Sequence, residues 1–157
     1  MFKSLSPGDI GIRGLSLSQA IELAQKTGFG GINFSVREAA QLVDERGIDY
    51  VRNLFANAGI LPGQWGLPVR WDGDEAEWKQ GLEELPRLAA VGQELGCTRT
   101  STWCPPGSND RDFEANWAWH IARFRPIAEI LAEYGCRLGI EFIGPQTIRD
   151  KLKYDFV

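Results

Sequence analysis

Four times along this chain a helical pattern runs into a glycine and gives way at once to a short apolar segment. The junctions are Thr27-Gly28-Phe29, Ala58-Gly59-Ile60, Leu95-Gly96-Cys97 and Tyr134-Gly135-Cys136. Glycine adopts the left-handed cap just past a helix without a Cβ penalty, so each junction reads as a helix stop. The segments that follow are Ile32-Asn33-Phe34, Ile60-Leu61 running toward Trp65, Cys97 to Trp103, and Arg137 to Ile143. With Ile10-Gly11-Ile12 at the front, strands are predicted near 9–12, 31–34, 60–65, 98–103 and 137–143. Strands that alternate with helices pair in parallel, because a parallel pair needs a long crossover, and the helices then cover the sheet. The expected class is therefore α/β.

The intervening helices carry their own start signals. Ser16 with Gln19, and Ser35 with Glu38, have capping-box spacing ahead of the apolar residues Leu17, Ile21 and Ala24, and Val36, Ala39, Ala40 and Val43. Gly47 breaks the second helix, and a further piece continues through Val51, Leu54, Phe55 and Ala58. The next runs from about Asp74 to Leu95 with Trp78, Leu82, Leu85 and Ala89 on one face, and the last from about Asp112 to Tyr134 through Phe113, Trp117, Ile121, Phe124, Ala128 and Leu131. Pro86 and Pro126 should kink these two. Doubly wound sheets and closed (β/α)8 barrels both fit such an alternation. Gly11-Ile12-Arg13-Gly14 and Gly28-Phe29-Gly30-Gly31 both miss the G-x-G-x-x-G of a dinucleotide fold.

At 157 residues the chain is long enough for a single domain with a real core, and residues 1–157 are read as one unit. A net charge of -4, with Arg37, Arg52, Arg123 and Arg125 scattered among acids, argues against a nucleic-acid or anionic-membrane partner. Cys97, Cys104 and Cys136 lack metal-ligand spacing and suit free thiols in a reducing compartment. No apolar run of signal-peptide or membrane-spanning length is visible, so the expected location is cytoplasmic.

Glu141 is the residue that points to chemistry. It sits in Leu138-Gly139-Ile140-Glu141-Phe142-Ile143, an apolar run that reads as a strand buried on both faces. An unpaired carboxylate buried there would cost several kcal/mol, so it calls for a metal ion, a basic partner or a proton. Glu141 also falls near the carboxyl end of its strand, where parallel α/β folds hold their ligands. The competing explanation is a structural pair with Arg137, which shares its face by alternation.

The Leu138-Gly139-Ile140-Glu141-Phe142 strand, the Gly63-Gln64-Trp65-Gly66-Leu67-Pro68 segment and Thr102-Trp103-Cys104-Pro105-Pro106 together resemble the sugar phosphate isomerase/epimerase family of xylose isomerase-like TIM barrels. That resemblance spans the whole chain, but the chain spans only the N-terminal five-eighths of such a barrel. It implies an incomplete (β/α)8 barrel of about five strands. It also implies a divalent metal (Mn, Mg, Co or Zn) held by Glu, Asp, His and Glu from successive strand ends. Glu141 matches the first ligand, while the other three would lie on strands this chain lacks. Related ketose epimerases carry a second Glu six residues on, where this chain has Thr147. The implied parent activity is isomerisation or epimerisation of a sugar or sugar phosphate by proton abstraction next to a carbonyl, with Glu141 as ligand and acid/base. The fragment itself is expected to be inactive and to bind metal weakly or not at all.

Around Glu141, Trp65 and Trp103 stand at strand ends, where an indole can pack on a sugar's C–H face or simply fill the barrel top. Asn33 and Arg13 are further strand-end candidates for substrate contact, or else loop braces. His120, the only histidine, is expected to pack between helix and sheet, and Cys104 to be a small filler. An apurinic endonuclease-like branch of the same fold would need more ligands in this half and a basic groove. A non-catalytic half-barrel that assembles with a partner is the alternative of another class. Either way, an open sheet edge at strand 5 invites self-association, and the tail from Gln146 to Val157 is too short to cover it.

Overall fold

The computed structural model describes all residues from Met1 to Val157. In chain order its elements are β1 (Ser4–Leu5), a 3₁₀ turn (Pro7–Ile10), α1 (Leu17–Lys26), β2 (Gly31–Phe34), α2 (Val36–Arg46), α3 (Ile48–Ala58), β3 (Leu61–Gly66), α4 (Glu75–Glu94) and β4 (Arg99–Cys104). There follow β5 (Gly107–Ser108), α5 (Phe113–Glu133), β6 (Arg137–Phe142), α6 (Gln146–Arg149) and β7 (Tyr154–Asp155). β1, β2, β3, β4 and β6 form one parallel sheet in sequential order. Successive helices pack on their neighbours, α1 on α3, α2 on α3 and α4, and α4 on α5, as an outer layer. This is the α/β arrangement of an incomplete (β/α)8 barrel. One core of 25 buried apolar residues runs through it.

Local signals set the helix ends. Gly28, Gly59, Gly96 and Gly135 all take positive φ at the ends of α1, α3, α4 and α5. Capping boxes open α1 at Ser16/Gln19 and α4 at Asp74/Glu77. At α2 only half of the expected box forms. Ser35 accepts from the Glu38 amide, but the Glu38 carboxylate accepts instead from the Leu17 amide at 2.6 Å, tying α2 to the first turn of α1. Pro86 and Pro126 lie inside helices that continue through them.

Two strand expectations are corrected. Residues 9–12 are not extended: Pro7 opens a 3₁₀ turn that ends at Gly11 with φ 82°, and Ile10 and Ile12 face solvent. The first strand is Ser4–Leu5, anchored by buried Leu5. Nor is β6 buried on both faces. It lies at the sheet edge, with Ile140 47% and Phe142 56% exposed, because no strand or helix of this chain lies beyond it.

The apolar stripe of α5 also divides. Ile127 and Leu131 enter the core, whereas Phe113, Trp117 and Ile121 remain exposed. The tail forms one helical turn and returns to the loop after β4. There β7 pairs antiparallel with β5, the Phe156 amide donates to Pro106 O at 2.9 Å, and the Lys153 amide donates to Asn109 Oδ1 at 2.9 Å. The edge of β6 stays uncovered.

Candidate functional site

Parallel strands that end together leave their carboxyl ends and following loops around one opening. Here that opening is a cleft of about 810 Å3, bordered by the loop after β1, the ends of β2, β3, β4 and β6, and the start of α2. The volume is within the range of small-molecule sites. Arg13, Asn33, Trp103 and Glu141 all line it; Trp65 does not.

Glu141 and Trp103 come together because β4 and β6 are adjacent and in register, Trp103 opposite Glu141. In a parallel ladder, paired residues project from the same face. Glu141 is exposed to the cleft, so burial does not force a partner on it, and none of the ion pairs in the structure involves Glu141 or Arg137. Trp103 is 44% exposed, and its ring meets Trp71 edge-on at 5.5 Å.

Trp65 is a correction with a clear cause. Between the pairs Ile32↔Pro62 and Phe34↔Trp65, β3 carries one residue more than β2. Such a bulge reverses which face the next side chain takes. Trp65 therefore points with Phe34 into the core. It is fully buried, donates its indole N–H to Cys97 O at 2.9 Å and lies against Gly92 of α4. Gln64 borders the cleft in its place. The isolated Gly63 in the strand was the available signal: a Cβ there would overlap Ser4 Oγ and Asn33 Oδ1.

Asn33 lies on β2, and its Oδ1 accepts from Ser4 Oγ at 2.8 Å, so it braces β1 while facing the cleft. Arg13 is exposed in the loop before α1 and does not end a strand, since the strand expected there is a turn. Ser101, next on the inner face of β4, was not singled out by sequence and lies in the cleft wall. Cys104 is partly buried, and burial pushes its thiol pKa up, away from nucleophilic character.

Asp9, Glu38 and Glu141 are the carboxylates of the cleft, and Glu38 is held by the Leu17 amide. No group of three or more His, Cys, Asp or Glu converges in the chain. Catalytic zinc takes about three protein ligands, and harder cations take several oxygens. These residues do not by themselves fit a metal centre.

His120, on the inner face of α5, sits among Trp71, Trp119 and Phe124, with Nδ1 2.8 Å from Asn116 O. Burial lowers its pKa, opposed by that hydrogen bond. No helix is long and apolar enough to cross a membrane.

Residues 21–152 match the model of the xylose isomerase-like TIM barrel. No curated protein matches the chain. A xylose isomerase domain protein from Alicyclobacillus acidocaldarius superposes with a TM-score of 0.82 at 24% identity, over 99% of this chain and 54% of that one. The IolI protein with a bound zinc atom gives 0.73 at 18% identity, over 95% and 55%. D-psicose 3-epimerase in the presence of D-fructose gives 0.65 at 17%, over 89% and 52%. The chain thus spans little more than half the length of these structures, and at such identities the likeness is one of fold.

Proposed function

Since the chain belongs to the xylose isomerase-like TIM-barrel family, we propose that its cleft is part of the active site of a metal-dependent sugar or sugar phosphate isomerase or epimerase. The observation that carries this reading is the pairing of Glu141 with Trp103 on one inner face, at the carboxyl ends of adjacent strands. A carboxylate there can take a proton from carbon beside a carbonyl and return it on another atom or face. The exposed indole of Trp103 offers a flat surface to the C–H face of a sugar. Asn33, Gln64 and Arg13 supply polar contacts around it.

The proposed cofactor is a divalent Mn, Mg, Co or Zn ion. Glu141 would be one ligand, and the remaining ligands would come from residues outside these 157. In this reading the chain is a single domain, the N-terminal five strands of the barrel, and has no isomerase activity alone. The open edge of β6 and the exposed Phe113–Trp117–Ile121 face support a related alternative, a half-barrel completed by a partner.

Calorimetric titration of the chain with Mn²⁺ tests the assignment of Glu141. Weak binding that disappears in Glu141→Gln is expected, because one carboxylate supplies few of the oxygens the ion takes. A tight site that survives the substitution would refute the assignment.

A further inference from the structure

β6 forms an edge of the five-stranded sheet. The amides of Arg137 and Ile143 donate to Thr98 O and Cys104 O, at the two ends of β4, at 2.9 and 3.0 Å. Backbone groups alternate sides along a strand, so the N–H and C=O of Leu138, Ile140 and Phe142 point away from the sheet. Ile140 and Phe142 are exposed there, and so are Arg137, Gly139 and Glu141. A row of unpaired backbone groups flanked by apolar side chains is a template for another strand.

The sequence of this edge complements itself. Read about Gly139, the segment Arg137-Leu138-Gly139-Ile140-Glu141 has a cation at one end, a carboxylate at the other and apolar residues between. Alternation puts Arg137 and Gly139 on the cleft face with Glu141. Neither charge is used within the chain, since no ion pair involves Arg137 or Glu141. Arg137 stands in register beside a like charge, Arg99, which itself turns to Gly63 O and Pro62 O. Like charges directly opposite disfavour a strand pair, so the place of Arg137 calls for a carboxylate that its own chain does not supply. Gly139 is equally unexplained by its own chain: a Cβ there would meet only Thr100 O at 3.7 Å and Ser101 Cβ at 3.8 Å, ordinary contacts.

We propose that β6 pairs antiparallel with β6 of a second copy of this chain, about a two-fold axis through Gly139. Such a contact is isologous, each residue meeting its counterpart's partner in both directions. In this register Leu138 lies opposite Ile140 of the second copy. Both carry outward-pointing backbone groups, so they exchange hydrogen bonds. Arg137 lies opposite Glu141 of the second copy, twice, at non-hydrogen-bonded positions where Cα atoms are about 4.5 Å apart and side chains are closest. Gly139 meets its own counterpart on the axis, where two side chains would crowd. Moving the axis to Leu138 or Ile140 loses both ion pairs, and moving it to Arg137 or Glu141 sets like charges against each other, so the charges select this register. α5 packs over β6, and the same axis brings the exposed Trp117 and Ile121 of the two copies toward each other in the outer layer. The pairing uses only the edge and its charges, so it stands apart from the proposed isomerase chemistry. Where both hold, the ion pair takes Glu141 away from metal and substrate.

Sedimentation velocity of the 157-residue chain at tens of micromolar reads the pairing. A dimer is expected for the native sequence. Arg137→Glu or Glu141→Arg, each at an exposed position, places two like-charge pairs in the interface and should weaken the dimer by about tenfold or more. Mixing the two variants in equal amounts sets opposite charges across the axis again and should restore a heterodimer, as should both changes in one chain. Gly139→Cys should form a disulfide-linked dimer under mild oxidation that the native sequence does not form, because the two Cα atoms on the axis lie within disulfide range. That variant reads the register if a charge reversal does not fold. A monomeric native chain overturns the proposal. So does a dimer indifferent to either reversal, a mixture no tighter than the single variants, or a Gly139→Cys chain that stays unlinked.

Discussion

Two tryptophans at comparable places in neighbouring strands have opposite roles. Trp65 fills the core and anchors Cys97 O, whereas Trp103 stands in the cleft. Trp65→Phe is expected to cost roughly 2 kcal/mol in urea unfolding, from the lost hydrogen bond and the void left behind. Trp103→Phe should change stability by no more than about 0.5 kcal/mol. The placement of Glu141 and Trp103 near the carboxyl ends of their strands was legible from sequence, because Gly144-Pro145 and Pro105-Pro106 mark where those strands stop. Trp65 was not, because one extra residue around Gly63 reverses the face. His120 gives a pH dependence at this same scale. Its folded pKa is lowered by burial, so the unfolded chain binds the proton more readily. The resulting stability is present above the ordinary histidine pKa and is lost as pH falls through it toward the folded value. Urea midpoints measured from about pH 7.5 down to about pH 5.5 should decline, and His120→Phe should flatten that decline. An equally steep decline in the variant would remove His120 as the cause.

At the scale of elements, helices were more legible than strands. Asp74 and Asp112 each accept from the backbone N–H three residues on, at the predicted starts of α4 and α5. A cap is written in a few adjacent residues, so sequence alone reveals it. The first strand was missed because Ile10 and Ile12 imitate a strand, while Pro7 and Gly11 set a turn. The partner of Glu38 was also invisible in sequence, since Leu17 lies 21 residues away. Asp74→Ala should lower stability by about 1 kcal/mol, since the capping box of α4 loses its acceptor. Circular dichroism during urea unfolding would measure it, and no change would mean that the cap is replaced by water.

For the whole molecule, five parallel strands leave two edges, at β1 and β6, where a closed barrel has none. β6 exposes Ile140 and Phe142 beside unpaired backbone groups, and α5 exposes Phe113, Trp117 and Ile121. Exposed apolar faces of this kind on a soluble protein mark association surfaces. The tail leaves them exposed, because β5–β7 pairing and the Lys153 amide on Asn109 Oδ1 hold it on the loop after β4, from which only Phe156 reaches Phe113. The chain is an open barrel segment, and the proposal is that its cleft serves chemistry only when those faces are covered. Sedimentation velocity tests it most directly. The chain at tens of micromolar should associate, and the double change Ile140→Lys and Phe142→Lys should shift it toward monomer by placing charge on the free edge. A wild-type chain that sediments as a stable monomer and melts cooperatively at that concentration would contradict the claim.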